Sequence, residues 1–377
     1  MDSQQKLTLL KNFSSRLENF SAKLFGELHK SNTSTNILYS PLSIQTCVSM
    51  LRMGAELDAT NELDEALCLS KMDVETIAEM FNVMMMECQK SPLLDIANKI
   101  YVKQGCGILA TFNELVSTKF LSEIENINFN DNANASITIN KWIAEKTNNM
   151  ITKVVSPGDF SEMTRLVLVN AIHFKGKWKN PFDKKLTVNE PFLINDDKTT
   201  IVPMMYKKDY FGYGKLDFLN AQVLEMKYLN SDLSMLIVLP EATCTLEQLG
   251  QQLKSTTFEE IYKHLYIKKV QVKLPRFKAE FTQELTRTFE NLGVGNIFNG
   301  QCLRNIFDYN EDVKVSSIIH KAIIEVDEEG TEAAAVSVLQ TDGWSPTFKF
   351  IANKPFYFVI LKNRSMPLFE GIINNPM

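Results

Sequence analysis

The chain has 377 residues, with 40 Lys and Arg against 45 Asp and Glu, a formal net charge of −5 and 45% hydrophobic residues. These values are ordinary for a globular protein with a large core, and they exclude a disordered chain. The mild acidity and the lack of a basic stripe argue against nucleic acid or an anionic membrane as the principal partner, because both require clustered positive charge.

The first part of the chain is predicted to be mainly helical. Between residues 10 and 28, apolar side chains recur at spacings of three and four, which predicts one long helix that ends near residues 31–35. Ser43 is expected to cap a second helix that closes at Gly54. The helical pattern then continues over residues 59–89.

The second half of the chain is predicted to contain strands. Short segments rich in β-branched and aromatic residues and bounded by turn residues are Leu166–Phe174, Leu233–Leu239, Val270–Leu274 and Phe356–Leu361. Early helices followed by later strands indicate an α+β fold instead of a doubly wound one. No Ser, Gly or Pro tract has the composition of a linker, so we expect a single domain over residues 1–377. The basic cluster Lys268, Lys269 and Lys273 is interpreted as a solvated face.

The sequence carries no recognisable catalytic or metal-binding motif. None of the four histidines lies in a ligand spacing, and no nucleophile elbow, P-loop or dinucleotide fingerprint is present. Six widely spaced cysteines lack a C-x-x-C pair and are interpreted as reduced or buried thiols. We therefore predict that the protein is not an enzyme and needs no metal.

The segment from Glu325 to Pro346 differs from its surroundings. It separates two strand-like runs and is far longer than the usual connection of about 2–6 residues. One interpretation is a disordered surface loop. However, alternate residues from Thr331 to Leu339 are mostly small, so the segment could enter a packed sheet as a strand with Glu332 facing water. Gly330 would then be the flexible hinge.

This segment resembles the hinge of the serpin family. Val326-Asp-Glu-Glu-Gly-Thr-Glu-Ala-Ala-Ala335 is similar nearly residue for residue. Further motifs in the family's order are Asn36-Ile-Leu-Tyr-Ser-Pro-Leu-Ser43, Leu168-Val-Asn-Ala-Ile-His-Phe-Lys-Gly-Lys-Trp178, Leu274-Pro-Arg-Phe277 and Asn353-Lys-Pro-Phe356. The resemblance spans essentially the whole chain. It implies an α+β serpin fold in one large domain, with a large central mixed β-sheet, further sheets, about nine helices and an exposed reactive-centre loop at residues 328–347.

The resemblance implies inhibition by a suicide-substrate mechanism. A protease cuts the loop, and the freed loop inserts into the main sheet before the acyl-enzyme is hydrolysed. Counting 17 residues from Glu328, or back from Asn353-Lys-Pro355, places the scissile bond at Trp344-Ser345. Tryptophan suits a deep apolar primary pocket, so a chymotrypsin-like serine protease is expected. Two alternatives stay open: an aspartate-directed protease that cleaves after Asp342, and a non-inhibitory serpin that acts as a carrier or chaperone.

Three groups of residues are carried over from the resemblance. The hinge comprises Glu328, Glu329, Gly330, Thr331, Glu332, Ala333, Ala334 and Ala335. The shutter, a polar cluster beneath the sheet, comprises Ser40, Ser43, Asn170 and His320. The breach, where insertion starts, comprises Trp178, Arg276 and Glu328, and a salt bridge is expected between the last two. The small hinge residues favour an inhibitory member.

The resemblance also implies a monomer that forms a covalent complex with a target serine protease and requires no cofactor. No compact basic helix resembles the heparin site of cofactor-activated members, so activation by a glycosaminoglycan is not expected. No secretory signal is recognisable after Met1, which favours the cytoplasm. An extracellular location is expected instead if the chain is the mature form of a secreted protein.

Overall fold

The computed structural model describes residues 3–32, 35–195, 198–300, 302–308, 313–329 and 346–377. Its α-helices are α1 (Ser3–Ser31), α2 (Pro41–Gly54), α3 (Leu57–Ala66), α4 (Val74–Gln89), α5 (Ala110–Lys119), α6 (Asn132–Lys146), α7 (Leu246–Leu253), α8 (Phe258–Lys263), α9 (Thr286–Asn291) and α10 (Asn296–Asn299). These ten helices in the described ranges agree with the predicted number of about nine.

The same residues form fourteen strands. They are β1 (Ile37–Tyr39), β2 (Leu94–Lys103), β3 (Glu123–Ile127), β4 (Leu166–Phe174), β5 (Val188–Asn195), β6 (Lys198–Leu216), β7 (Ala221–Lys227), β8 (Leu233–Pro240), β9 (Tyr266–Pro275), β10 (Phe277–Glu284), β11 (Val315–Val326), β12 (Phe348–Ile351), β13 (Phe356–Lys362) and β14 (Met366–Ile373). The four predicted strands are confirmed as β4, β8, part of β9 and β13.

The helix predicted from the apolar stripe is confirmed as α1. Its residues Phe13, Leu17, Phe20 and Leu24 are fully buried, because spacings of three and four place them on one face. The stretch predicted as helical over residues 59–89 is two helices, α3 and α4. Between them Cys68 and Lys71 have φ of 58° and 67°, in the left-handed region that no α-helix can contain.

The capping residue of α2 was assigned incorrectly from the sequence. Ser40, not Ser43, is the N-cap, and its hydroxyl accepts a hydrogen bond from the Ser43 N–H at 3.1 Å. Pro41 explains the difference, since a proline with no N–H and a fixed φ is suited to the first helical position. The cap therefore has to precede Pro41. The predicted end of α2 at Gly54 is confirmed.

Two sheets organise the strands. The larger has nine strands in the order β1-β14-β13-β8-β7-β6-β9-β12, with β5 paired to β6. The smaller has five strands in the order β10-β11-β4-β2-β3. It is mixed, because β2 pairs with β3 in parallel and with β4 antiparallel. All nine side chains of β4 are buried, as expected for a central strand covered on both faces.

The fold divides into two compact units. The first comprises Met1–Glu27, Tyr39–Phe174 and Glu280–Ile323, and the second comprises Leu28–Leu38, Lys175–Ala279 and Ile324–Met377. The single domain over residues 1–377 stays a prediction. No helix in the described part of the chain is both long enough and apolar enough to cross a membrane.

Candidate functional site

The predicted reactive-centre loop is bounded by two strands. β11, which belongs to the five-stranded sheet, ends before it, and β12, which belongs to the nine-stranded sheet, begins after it. The hinge residues Gly330, Thr331, Glu332, Ala333, Ala334 and Ala335 and the predicted scissile pair Trp344 and Ser345 lie outside the described residues. Glu328 and Glu329, which lead into the loop, are described.

Glu328 is buried, with 2% of its surface exposed. Its carboxylate accepts a hydrogen bond from the Thr187 hydroxyl at 2.8 Å, and its main-chain carbonyl accepts one from the Phe182 N–H at 3.0 Å. The Arg276 guanidinium lies 3.7 Å from the same carboxylate, with 53% of its side chain exposed. The structure thus brings Arg276 and Glu328 together, but the short contact to the carboxylate comes from Thr187.

Trp178 is held beside the same segment. Its ring is 3% exposed and stacks on Tyr228 with centroids 4.5 Å apart and an interplanar angle of 14°. Its indole N–H donates to the Asp327 carbonyl at 2.9 Å. A buried indole needs such an acceptor, and this one fixes the main chain immediately before Glu328.

Two ion pairs lie on either side of Glu328 along the chain. Lys184 pairs with Glu329, which lowers the pKa of Glu329 and raises the pKa of Lys184. Lys175 pairs with Glu325 at 2.9 Å, and this hydrogen bond raises the pKa of Lys175. Both lysines are more than half exposed, so each pair contributes little to stability.

The shutter residues form one buried hydrogen-bond network. The Ser40 N–H donates to His320 Nε2 at 3.3 Å, and Nδ1 of the same ring bonds to the side-chain oxygen Oδ1 of Asn170. The side-chain nitrogen Nδ2 of Asn170 in turn donates to the Ser43 hydroxyl and to Oδ1 of Asn98. All four predicted shutter residues are at most 1% exposed. The structure therefore brings together the whole set and adds Asn98.

This network requires a neutral His320. Nε2 accepts from a backbone N–H, so the ring proton resides on Nδ1, which donates to Asn170. Protonation of Nε2 would place two donors against each other. Burial alone lowers the pKa of His320 to about 3.

Cross-strand contacts fix the direction of β4 relative to β11. Asn170 meets His320, and five residues further along each segment Lys175, which directly follows β4, meets Glu325. Residue numbers rise together, so these two hydrogen-bonded neighbours run in parallel. On the other side of β11 the order is reversed.

Two contacts fix the direction of β10 relative to β11. Lys278 of β10 lies 3.8 Å from Glu325 of β11, while Glu280 of β10 lies 3.7 Å from Lys321 of β11. Residue numbers on β10 therefore rise as those on β11 fall. The strands β10 and β11 are antiparallel, whereas β4 and β11 are not.

Helix α6 covers the junction of β4 and β11. One apolar cluster unites its buried residues with those of β2, β4 and β11: Ala135, Ile139 and Ile143 with Ala97, Tyr101, Val167, Val169, Ala171, Ile319 and Ile323. Any strand that entered between β4 and β11 would meet this helix on one face of the sheet.

Lys99 links α6 to the strands beneath it. Its ammonium group lies 2.7 Å from both Glu123 and Glu125, and its side chain is 4% exposed. The same group lies 4.9 Å from the ring centroid of Trp142 on α6. Trp142 donates its indole N–H to Glu123 at 3.2 Å, and Lys146 pairs with Glu123 at 2.8 Å. Although burial raises the pKa of Glu123, the hydrogen bonds from Lys146 and Lys99 lower it to about 2.

Sequence reasoning missed several of these residues. Asn98 could have been noticed, because a polar residue among the buried residues of a strand such as β2 is unusual. Thr187 and Lys99 carried none, since their partners Glu328 and Glu125 become neighbours only in the folded chain. Among the described residues, no group of three or more His, Cys, Asp or Glu could hold a metal ion.

Comparison with known proteins identifies the family. The family model described as Serpin (serine protease inhibitor) matches residues 15–376. Two relatives from Bombyx mori, named Antitrypsin and Antichymotrypsin-2, are each 35% identical to the chain and cover 95% of it, with 93% and 96% of their own lengths matched. A solved structure titled Cleaved Serpin 42Da is 41% identical, with a TM-score of 0.87 over 96% of this chain and 98% of that one.

The chain therefore belongs to the serpin family and has the serpin fold. The description of the family model and the names of both relatives are those of protease inhibitors. The two relatives at the same identity are named for different proteases, so overall similarity does not distinguish between trypsin and chymotrypsin as a target.

Proposed function

We propose that the protein is a suicide-substrate inhibitor of a chymotrypsin-like serine protease, and is not itself an enzyme. The protease cleaves Trp344-Ser345, and the loop then inserts between β4 and β11 while still bound to it as an acyl-enzyme. The observation that carries this proposal is the parallel pairing of β4 and β11 directly before the loop.

Chain direction explains why insertion is favourable at this position. A segment that reverses after β11 runs antiparallel to β11, and therefore also antiparallel to β4. One parallel pairing is replaced by two antiparallel pairings, which are somewhat more stable per residue. Entry between β10 and β11 would instead replace their antiparallel pairing with one antiparallel pairing, to β11, and one parallel pairing, to β10. The geometry thus favours the β4 side.

The loop is long enough for this insertion. Residues 330–344 would span about 50 Å as an extended strand, and the twelve residues of β11 span about 40 Å. Its alternate residues Thr331, Ala333 and Ala335 are small, so they fit a packed face. The shutter network around Asn170 and His320 would have to break and form again as the strands separate.

The chemistry proposed for the loop is that of an ordinary acyl transfer. The protease serine oxygen attacks the Trp344 carbonyl carbon, the bond to the Ser345 nitrogen breaks, and the catalytic histidine passes its proton to that leaving amine. The product is an ester between Trp344 and the protease, with Ser345 as a new amino terminus. Insertion would distort the protease before water can hydrolyse the ester, so the inhibitor is consumed in the reaction.

Two observations support a chymotrypsin-like target. Tryptophan precedes the proposed bond, and a large aromatic ring requires a deep apolar primary pocket. One relative of 35% identity is named Antichymotrypsin-2. The name of the other relative, Antitrypsin, gains no such support, because no Lys or Arg occurs between Lys321 and Lys349.

Incubation with α-chymotrypsin tests the proposal. We expect an SDS-resistant complex and a fragment that begins at Ser345, identified by its mass. A fragment that begins at Gly343 would instead indicate cleavage after Asp342 and an aspartate-directed target. Cleaved protein with fully active protease would contradict the inhibitory function and favour a carrier or chaperone.

A further inference from the structure

The exposed face of β6, β9 and β12 carries a row of positive charge. Register places Lys349 of β12 opposite Gln271 of β9, and Gln271 opposite Lys208 of β6. Partners in register point to the same face, so the three side chains form one line across the sheet. Lys208 and Lys349 are both exposed. With neighbouring strands about 4.8 Å apart, the two ammonium-bearing residues are separated by roughly 10 Å.

Further positive charge extends this row. Lys269 lies two residues from Gln271 on the same strand and therefore on the same face, opposite the exposed Tyr210. Lys273 is on this face as well, but Glu190 forms an ion pair with it. We define the basic face as Lys208, Lys269, Lys273 and Lys349.

The acidic residue nearest in sequence does not neutralise this face. Asp209 follows Lys208 directly, so its side chain points to the opposite side of the sheet. There it pairs with Lys207 at 3.6 Å. On the basic face, Glu190 is the acidic partner of Lys273, and Lys208 and Lys349 add two exposed positive charges.

The chain itself ties this face to the proposed scissile bond. Ser345 precedes Lys349 by four residues, so their Cα atoms can be no more than about 14 Å apart. A protease of about 240 residues has a radius of gyration of roughly 18 Å. A protease bound to Trp344-Ser345 must therefore extend over the start of β12, on the side of its cleft that receives the residues after the bond.

We propose that the basic face docks an acidic surface of the target protease beside its substrate cleft. This inference rests on the proposed function and adds a property of the partner to it. Complementary charge at such a contact raises the rate of productive encounter more than it strengthens the final complex, and the effect falls with salt. Two of the lysines interpreted from the sequence as a solvated cluster, Lys269 and Lys273, belong to this face.

The test compares α-chymotrypsin with α-chymotrypsin whose lysines have been succinylated, which makes its surface acidic. Active-site titration with a small ester substrate sets the two enzymes to the same concentration of active sites. The inhibitor variant is Lys208→Gln/Lys349→Gln, and the matched control is Lys11→Gln/Lys141→Gln, which removes two exposed lysines from helices α1 and α6. Thermal unfolding midpoints would verify that both variants fold.

With the succinylated enzyme at about 25 mM salt, the basic-face variant should associate about fivefold more slowly than the wild type. At about 500 mM salt the difference should disappear. The control variant should match the wild type, and the final yield of complex should be the same for all three. Both variants lose two positive charges, so a general effect of net charge would slow them equally. Association rate constants of the two variants that agree within about twofold would therefore overturn the proposal.

Two further outcomes keep this inference separate from the proposed function. If the loop is cleaved without trapping, inhibition has failed, and kcat/KM for cleavage still reports whether the basic face guides the encounter. If the basic-face variant loses binding to heparin while its rate with the succinylated enzyme is unchanged, the face serves a polyanion and the proposal is wrong.

Discussion

His320 on β11 bonds to the side-chain oxygen Oδ1 of Asn170 on β4, across the two strands that the proposed insertion would separate. The bond is part of a network in which Asn170 also contacts Ser43 and Asn98. Buried polar groups are stable only when mutually bonded, so this network stabilises the contact between β4 and β11. The proposed insertion would require these bonds to be exchanged.

Asn170→Ala should destabilise the closed sheet. It removes the acceptor of His320 and leaves that buried ring nitrogen without its partner, which costs about 2–3 kcal/mol. The thermal unfolding midpoint should fall, as measured by circular dichroism. Asn113→Ala is the control, because Asn113 is an exposed residue of α5. Equal midpoints for the two variants would contradict the role given to the network.

Stability should depend on the protonation of His320. Its pKa is lowered to about 3 in the folded chain, against an ordinary value near 6.5, so the unfolded chain binds the proton first as pH falls. The stabilising contribution is therefore complete above about pH 6.5 and declines toward pH 3, by about 1 kcal/mol per pH unit.

An NMR titration of labelled histidines would measure this directly. The His320 signal should stay at its neutral position between about pH 7.5 and 4.5. The same chain unfolded in urea is the reference, in which the histidine signals should move over this pH range. A His320 midpoint near 6.5 would show that the ring is not held neutral by the network.

The two partners of Glu328 should differ in importance. Thr187→Val removes a 2.8 Å hydrogen bond to a buried carboxylate and should lower the free energy of unfolding by about 2 kcal/mol. Arg276→Gln removes a 3.7 Å contact from a half-exposed side chain and should cost about 0.5 kcal/mol. Urea denaturation at neutral pH would measure the free energy of unfolding of both variants. A larger loss for Arg276→Gln than for Thr187→Val would disprove this account of how Glu328 is held.

Lys99→Met should loosen α6. The lysine is buried between Glu123, Glu125 and the Trp142 ring, so its loss should cost about 2 kcal/mol. Hydrogen exchange in residues 132–146 should then be faster. Lys119→Met breaks a pair in which both side chains are 40% exposed and should cost less than about 0.5 kcal/mol. Unchanged exchange in α6 would mean that Lys99 does not hold the helix.

Features set by local pattern could be predicted from the sequence. The stripe of α1 and the run of β4 are examples, because periodicity and β-propensity act within one element. The cap of α2 lies three residues before the predicted Ser43, because Pro41 occupies the first helical position. The shutter residues were found only through resemblance to the family.

Features that depend on register could not be predicted in this way. Lys349 and Lys208 are 141 positions apart, and only the pairing of both strands with β9 places them in one row. The parallel direction of β4 and β11 likewise follows from cross-strand contacts such as Asn170 with His320. Pairing partners and strand direction are not encoded in the hydrophobic period of a single strand.

The most direct test of loop insertion compares two charge substitutions at adjacent hinge positions. Thr331→Arg places a long cation on the row that would face the packed interior, whereas Glu332→Arg places it on the row that would face water. With α-chymotrypsin, the first variant should be cleaved without forming an SDS-resistant complex, and the second should still trap the protease. If both variants trap the enzyme equally well, the loop does not insert as a strand, and the central claim is wrong.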